Sequence, residues 1–281
     1  VRGYRINAAQ FSDSGDSVFI ASDDQQLSQI DLATRTVVRK WGHDGIVTSM
    51  SLSPNKHFAL TISEQTTNEQ IETTATLWDL RLPANSKSNA RILEKSILSR
   101  NARKTSGNVL TAQAAKTKTD DVLTTKGRIT SATIGLDGNT LMVTHVAASR
   151  SAKISVWSLG ERVDDAKRQP WLEMPPRISS IEATLPISSE QFLTLNGDAA
   201  FLWDANREKH LRSFRANGPV QQASFSADGK YIVTASRSIK VWDAESMQAV
   251  GKQEVAHSGP VRSVEFAKGQ DRSQLDYRIV S

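Results

Sequence analysis

Between Val220 and Val250 the chain reads VQQASFSADGKYIVTASRSIKVWDAESMQAV, short apolar–polar alternations broken by turn residues. Val220, Ala223 and Phe225 mark one strand, Asp228-Gly229 a tight turn, Tyr231 to Ser236 a second strand and Ser238 to Trp242 a third. A fourth follows a polar turn, so the pattern predicts a four-strand meander of about forty residues. Its first strand recurs as INAAQFS from Ile6, VTSMSLS from Val47, ITSATIG from Ile129, ISSIEAT from Ile178 and VRSVEFA from Val261. The strand starts at 6, 47, 129, 178, 220 and 261 are spaced by 41, 82, 49, 42 and 41 residues. The third strands end as Gln29-Ile30-Asp31, Leu77-Trp78-Asp79, Val156-Trp157-Ser158, Leu202-Trp203-Asp204 and Val241-Trp242-Asp243. Four of the six tryptophans thus fall on one repeat position, which makes the repeat a structural unit that stacks on its neighbours.

A period near 41 with Trp-Asp closing the third strand resembles the WD-repeat β-propeller family. The resemblance implies an all-β fold, a β-propeller of four-stranded antiparallel blades. Six blades are recognisable, the last incomplete, in a single domain over residues 1–281 that forms part of a seven-bladed ring. The chain opens on a first strand and stops at Arg278-Ile279-Val280-Ser281, which matches a second strand, so a fragment of a longer chain is expected.

Such blades are often tied by a buried tetrad: a His before the first strand, a Ser or Thr on the second, an Asp in the turn and the Trp indole. On that pattern the blade-core set is His43, Trp78, Asp79, Trp157, Trp203, Asp204, Trp242, Asp243 and His257. The tetrad is worn. Arg2, Thr125, Met174 and Ala216 replace the His elsewhere, Ile30 replaces the first blade's Trp, and no blade shows all four members in register. Trp41 is expected to end a fourth strand, while Trp171 either packs between blades or anchors a partner.

Charge is distributed unevenly. The net charge is +5, yet residues 81–128 hold 11 Lys+Arg against 3 Asp+Glu; that segment carries +8 and leaves the other 233 residues at −3. No Trp-Asp or Asp-Gly turn falls between Pro83 and Gly127. The 82-residue interval is therefore read as a basic loop insertion over 83–128, with a short helix at Ala90 to Arg100, rather than a hidden blade. A smaller expansion, Glu64 to Thr74, lengthens a turn of the same blade. Arg91, Lys95, Arg100, Arg103, Lys104, Lys116 and Lys118 are the candidate partner-binding cations, but the segment lacks the aromatic residues that base stacking needs. Ser96 and Ser99 beside them suit phosphorylation.

Catalytic patterns are absent from the sequence: there is no Gly-x-Ser-x-Gly, no phosphate loop and no His-Glu-x-x-His. The five histidines show no ligand spacing and there is no cysteine, so no catalytic residue, cofactor or metal site is expected. No apolar run is long enough to span a membrane. The sequence is read as a non-enzymatic, cytoplasmic scaffold for protein or peptide partners. The alternative is an adaptor for nucleic acid or an anionic surface through residues 81–128.

Overall fold

The computed structural model describes residues 3–12, 14–84, 86, 89–99, 122–147, 152–169, 172–173, 181, 183–187, 190–204, 209–226, 228–251, 255–256, 261, 264–267 and 278–280. The chain divides into two compact units, Val1–Ile134 with Gly138–Ser180, and Gly135–Asp137 with Ile181–Ser281.

The first unit holds three sheets. Blade 1 is the antiparallel meander β1 (Ile6–Phe11), β2 (Ser17–Ser22), β3 (Gln26–Asp31) and β4 (Thr36–Gly42). Blade 2 comprises β5 (Ile46–Leu52), β6 (Phe58–Thr66), β7 (Gln70–Asp79) and β8 (Ala90–Ser99), with β9 (Leu123–Lys126) added parallel to β8. Blade 3 comprises β10 (Arg128–Ile134), β11 (Thr140–Val146), β12 (Ala152–Ser158) and β13 (Lys167–Arg168), and β14 (Leu172–Glu173) also pairs with β12. The second unit holds blade 4, β15 (Ala183–Pro186), β16 (Gln191–Asn196), β17 (Ala199–Asp204) and β18 (Lys209–Arg215). Blade 5 follows as β19 (Gln222–Phe225), β20 (Tyr231–Ala235), β21 (Ser238–Asp243) and β22 (Val255–Ala256), and then the antiparallel pair β23 (Glu265–Ala267) and β24 (Arg278–Val280).

Two of these elements differ from the sequence reading. Residues 90–99, expected as loop and helix, form β8, the fourth strand of blade 2. The apolar positions Ile92, Leu93, Ile97 and Leu98 do not alternate because Leu93 is the extra residue of a β-bulge between the Ala75 and Thr76 pairings. In blade 4 the first described strand starts at Ala183, whereas residues 178–180 of the expected start lie outside the described residues.

Apolar faces of consecutive blades pack together within each unit. Phe19, Ala21, Leu27 and Trp41 of blade 1 meet Leu52, Ala59 and Trp78 of blade 2. Ala75, Leu77 and Leu93 of blade 2 meet Ile129, Leu141, Val143 and Trp157 of blade 3. In the second unit, Leu195, Leu202 and Phe214 pack on Ile232 and Trp242, and Val233 and Ile239 pack on Val261 and Val264. Polar side chains on first strands accept backbone N–H groups from the next first strand: Leu52 N donates to Gln10 Oε1, Ile134 N to Ser51 Oγ and Val264 N to Gln222 Oε1, each at 3.1 Å. These bonds satisfy inner-strand donors that no neighbouring strand reaches.

Candidate functional site

Each Trp of the repeat brings an indole N–H into an apolar seam, where leaving it without an acceptor costs about 1–3 kcal/mol. Three blades solve this internally. Trp78 Nε1 donates to Thr61 Oγ1 (2.9 Å), Trp203 Nε1 to Thr194 Oγ1 (2.9 Å) and Trp242 Nε1 to Thr234 Oγ1 (3.0 Å). In each case the Thr lies two residues beyond the second-strand residue that pairs with the Trp: Ala59, Phe192 and Ile232 respectively. In blade 2 the chain of bonds continues to His43, whose Nε2 lies 2.9 Å from Thr61 Oγ1 and whose Nδ1 lies 3.2 Å from the Trp41 carbonyl. A carbonyl only accepts, so Nδ1 carries the proton and Nε2 accepts from Thr61. Burial holds the neutral imidazole, lowering its pKa from 6.5 to about 4 against the Trp41 carbonyl and Asp44, which favour the charged form. His43 thus joins Trp78 and Thr61 in one chain of hydrogen bonds; His257 lies outside the described residues.

Blade 3 is built differently. The position equivalent to Thr61 is Val143, two residues beyond the Leu141 that pairs with Trp157. The missing acceptor comes from blade 2. Glu94 on β8, with no exposed surface, accepts from Trp157 Nε1 at 2.6 Å and from Ser155 Oγ, both on Oε1, while Oε2 meets His145 Nε2. Thr125 of β9 lies 3.1 Å from His145 Nδ1 and donates to Ser96 Oγ at 3.0 Å. The bulge at Leu93 produces this set. Arg91 pairs with Leu77, Glu94 with Ala75 and Ser96 with Thr73, so all three share the face turned to blade 3. Without the bulge, the pairing continued from Arg91 and Ile92 would set Leu93 opposite Ala75 and turn Glu94 to the other face. The sequence reading missed Glu94, His145, Ser155 and Thr61; the signal available was Val143, an apolar residue where Trp157 needs an acceptor. In blade 1 both partners are lost together, with Ile30 and Ile20 in the Trp and Thr positions.

Three described cations of the basic segment, Arg81, Arg91 and Lys95, are engaged within the chain. Arg91 Nη1 donates to the carbonyls of Asp164 and Ala166, each at 2.8 Å, and its guanidinium lies 5.8 Å from the Trp157 ring. Lys95 Nζ pairs with Glu72 at 2.9 Å. Arg81 forms two bonds to Asp79 (2.9 and 2.7 Å) and one to the Glu161 carbonyl (2.6 Å), and it lies over Phe58. Burial of Asp79 opposes ionisation, but Arg81 prevails and holds the carboxyl below its ordinary pKa. Ser96 is fully buried, which excludes it as a modification site in the folded chain; Ser99 is exposed. Arg100, Arg103, Lys104, Lys116, Lys118 and Trp171 lie outside the described residues.

Asp204 and Asp243 end their third strands as half-buried residues, and Asp243 accepts from the Ser246 hydroxyl and amide (2.7 Å each), which lowers its pKa. Trp242 stacks on Phe214 at 4.0 Å across the seam of blades 4 and 5. Beside that seam a groove of about 630 Å³ is lined by Leu202, Leu211, Arg212, Lys230, Tyr231 and Glu245 among others. No group of three or more His, Cys, Asp or Glu residues able to hold a metal ion occurs among the described residues. No helix among them is long and apolar enough to cross a membrane.

Among the described residues, five blade-type meanders, three of them with a Trp bound to a Thr of the second strand, are similar in build to the blades of WD-repeat β-propellers. Residues 208–243 match the family model of the WD domain, G-beta repeat. Over 103 residues the chain is 32% identical to the small ribosomal subunit protein RACK1 of Caenorhabditis elegans, a match covering 33% of this chain and 32% of that protein. The chain thus spans about a third of the length of the curated relative it matches.

Proposed function

We propose that the chain is a non-enzymatic interaction platform for protein or peptide partners, a rigid propeller that presents loops and strand edges. The observation that carries this reading is where the reactive side chains go. His43, Glu94, His145 and Ser155 are engaged in hydrogen-bond chains inside blade seams, where they fasten sheets. The relative with RACK1 in its name supports a scaffold role by similarity over a third of the chain.

We further propose six blades over residues 1–281, as part of a seven-bladed ring. On blade 2 the cross-strand row Leu52–Ala59–Trp78–Ala90 is covered by blade 1. The same row on blade 1, Phe11–Val18–Ile30–Val37, is left open: Phe11 is 63% exposed and Val37 39%. A further blade is the element that fits it.

The test is capture by the full chain from nuclease-treated lysate, followed by reconstitution with the purified candidate. A protein that rebinds in fixed stoichiometry supports the platform. Capture that vanishes with nuclease, and with deletion of residues 100–121, would replace it by the nucleic-acid adaptor reading. The deletion must stop at 100, since β8 is part of the blade.

A further inference from the structure

The outer edge of β8 is the only fourth-strand edge among the described residues that bears a fifth strand; β4, β18 and β22 carry none. What occupies it is unusual. Strand β9 lies parallel to β8 over four residue pairs, Glu94–Leu123 to Ile97–Lys126. A parallel neighbour cannot arrive by a hairpin; it needs a long crossover, here residues 100–122, and its pairing is slightly weaker per residue than an antiparallel one. The strand is therefore a segment delivered onto a finished blade rather than part of the meander.

Its hold on the edge is specific. Thr125 donates to Ser96 Oγ and meets His145 Nδ1, so one hydroxyl joins the incoming strand to β8 and to blade 3. Two residues later Gly127 N donates to the Ile97 carbonyl at 3.0 Å. Gly127 has φ +141° and a Cβ there would lie 2.5 Å from the Val146 carbonyl oxygen, so a side chain is excluded. The site between β8 and blade 3 thus reads a hydroxyl followed after one residue by a glycine, and beneath it Ser96 and Glu94 are fully buried, Glu94 being held by Trp157 of blade 3.

We propose that the outer edge of β8 is a strand-accepting site for extended peptides with a Thr-x-Gly or Ser-x-Gly element, filled in this chain by its own β9. A partner strand carrying that element adds to β8 in parallel when β9 is withdrawn, so β9 acts as a resident competitor. The inference deepens the platform reading and rests on it only for its biological meaning; strand binding is tested without any cellular partner.

The probe is a fluorescein-labelled synthetic peptide of residues 122–128, measured by fluorescence anisotropy against the full chain. Two variants empty the edge: Thr125→Pro, and replacement of residues 122–126 by five glycines. Their folding is checked by far-ultraviolet circular dichroism and tryptophan emission. The expected result is saturable binding to an emptied variant, at least tenfold tighter than to wild type, and lost at least tenfold by a peptide with Thr125→Val. Equal binding to wild type, or none to a folded emptied variant, overturns the proposal. Failure of both variants to fold also overturns it, because β9 would then be integral to the blade and not exchangeable. Platform binding by another surface would survive any of these failures in the capture experiment.

Discussion

Replacing Glu94 with alanine tests whether a carboxylate from blade 2 does the work that a threonine does in other blades. The substitution removes the acceptor of two donors, Trp157 Nε1 and Ser155 Oγ, and the partner of His145 Nε2, in a place with no exposed surface. Each buried polar group left without its partner costs about 1–3 kcal/mol, and three such groups face Glu94. These overlap, so the expected loss is about 4 kcal/mol. Thr234→Val orphans one indole N–H and should cost about 2 kcal/mol by the same reasoning. Glu94→Gln retains one acceptor oxygen and should fall below Glu94→Ala, at about 1–2 kcal/mol. Urea titration of the full chain, followed by tryptophan emission, orders the three variants. A rescue sharpens the test: Val143→Thr places a hydroxyl at the blade 3 equivalent of Thr61 and should restore about 1 kcal/mol in the Glu94→Ala background. If Glu94→Ala costs less than Thr234→Val, or Val143→Thr restores nothing, the substitution logic between blades is wrong.

Three other perturbations have defined outcomes. His43 is neutral in the fold with a pKa lowered to about 4, so below its unfolded value of 6.5 only the unfolded chain takes up the proton. Stability should therefore be complete above pH 6.5, then fall on acidification by up to about 1.4 kcal/mol per pH unit until pH 4, and His43→Gln should flatten that slope in urea midpoints. Arg91→Ala should cost about 2 kcal/mol of unfolding free energy through its carbonyl bonds to Asp164 and Ala166, and a Lys replacement should not restore it because a point charge lacks the planar fork. Gly127→Ala should destabilise by about 1–3 kcal/mol in the same titration, since its Cβ meets the Val146 carbonyl.

The repeat was legible because its signal is periodic: Trp78, Trp157, Trp203 and Trp242 fall on one position, and the first strands recur at spacings near 41. The fourth strands were not. Val38, Leu93 and Leu211 are each an unpaired extra residue between adjacent pairings, so the period of two breaks inside β4, β8 and β18. In β8 the break, combined with Arg91, Glu94 and Lys95, disguised a strand as polar loop. Charge reads differently once the partners of the described cations are known. A net of +8 over residues 81–128 suggests a binding surface, yet Arg81, Arg91, Lys95 and Arg128 meet Asp79, backbone carbonyls, Glu72 and Glu64. Composition counts charges but not their partners.

The Glu94 arrangement also explains why the insertion sits where it does. A Thr acceptor lies inside its own blade and does nothing for the seam, whereas Glu94 bonds blade 2 to blade 3 and His145 extends that bond to β9. In a repeat protein each unit is stabilised by its own contacts and by its neighbour interfaces. Moving the acceptor across the seam shifts free energy from the first kind to the second. Blade 3 then depends on blade 2 for its Trp, and the strand returning from the insertion depends on both. A long segment leaving the end of β8 would pull on that strand and fray an ordinary outer edge. Here β8 is pinned to blade 3 at Arg91 and Glu94, two positions on one face, so its hold on that blade does not rest on the returning segment.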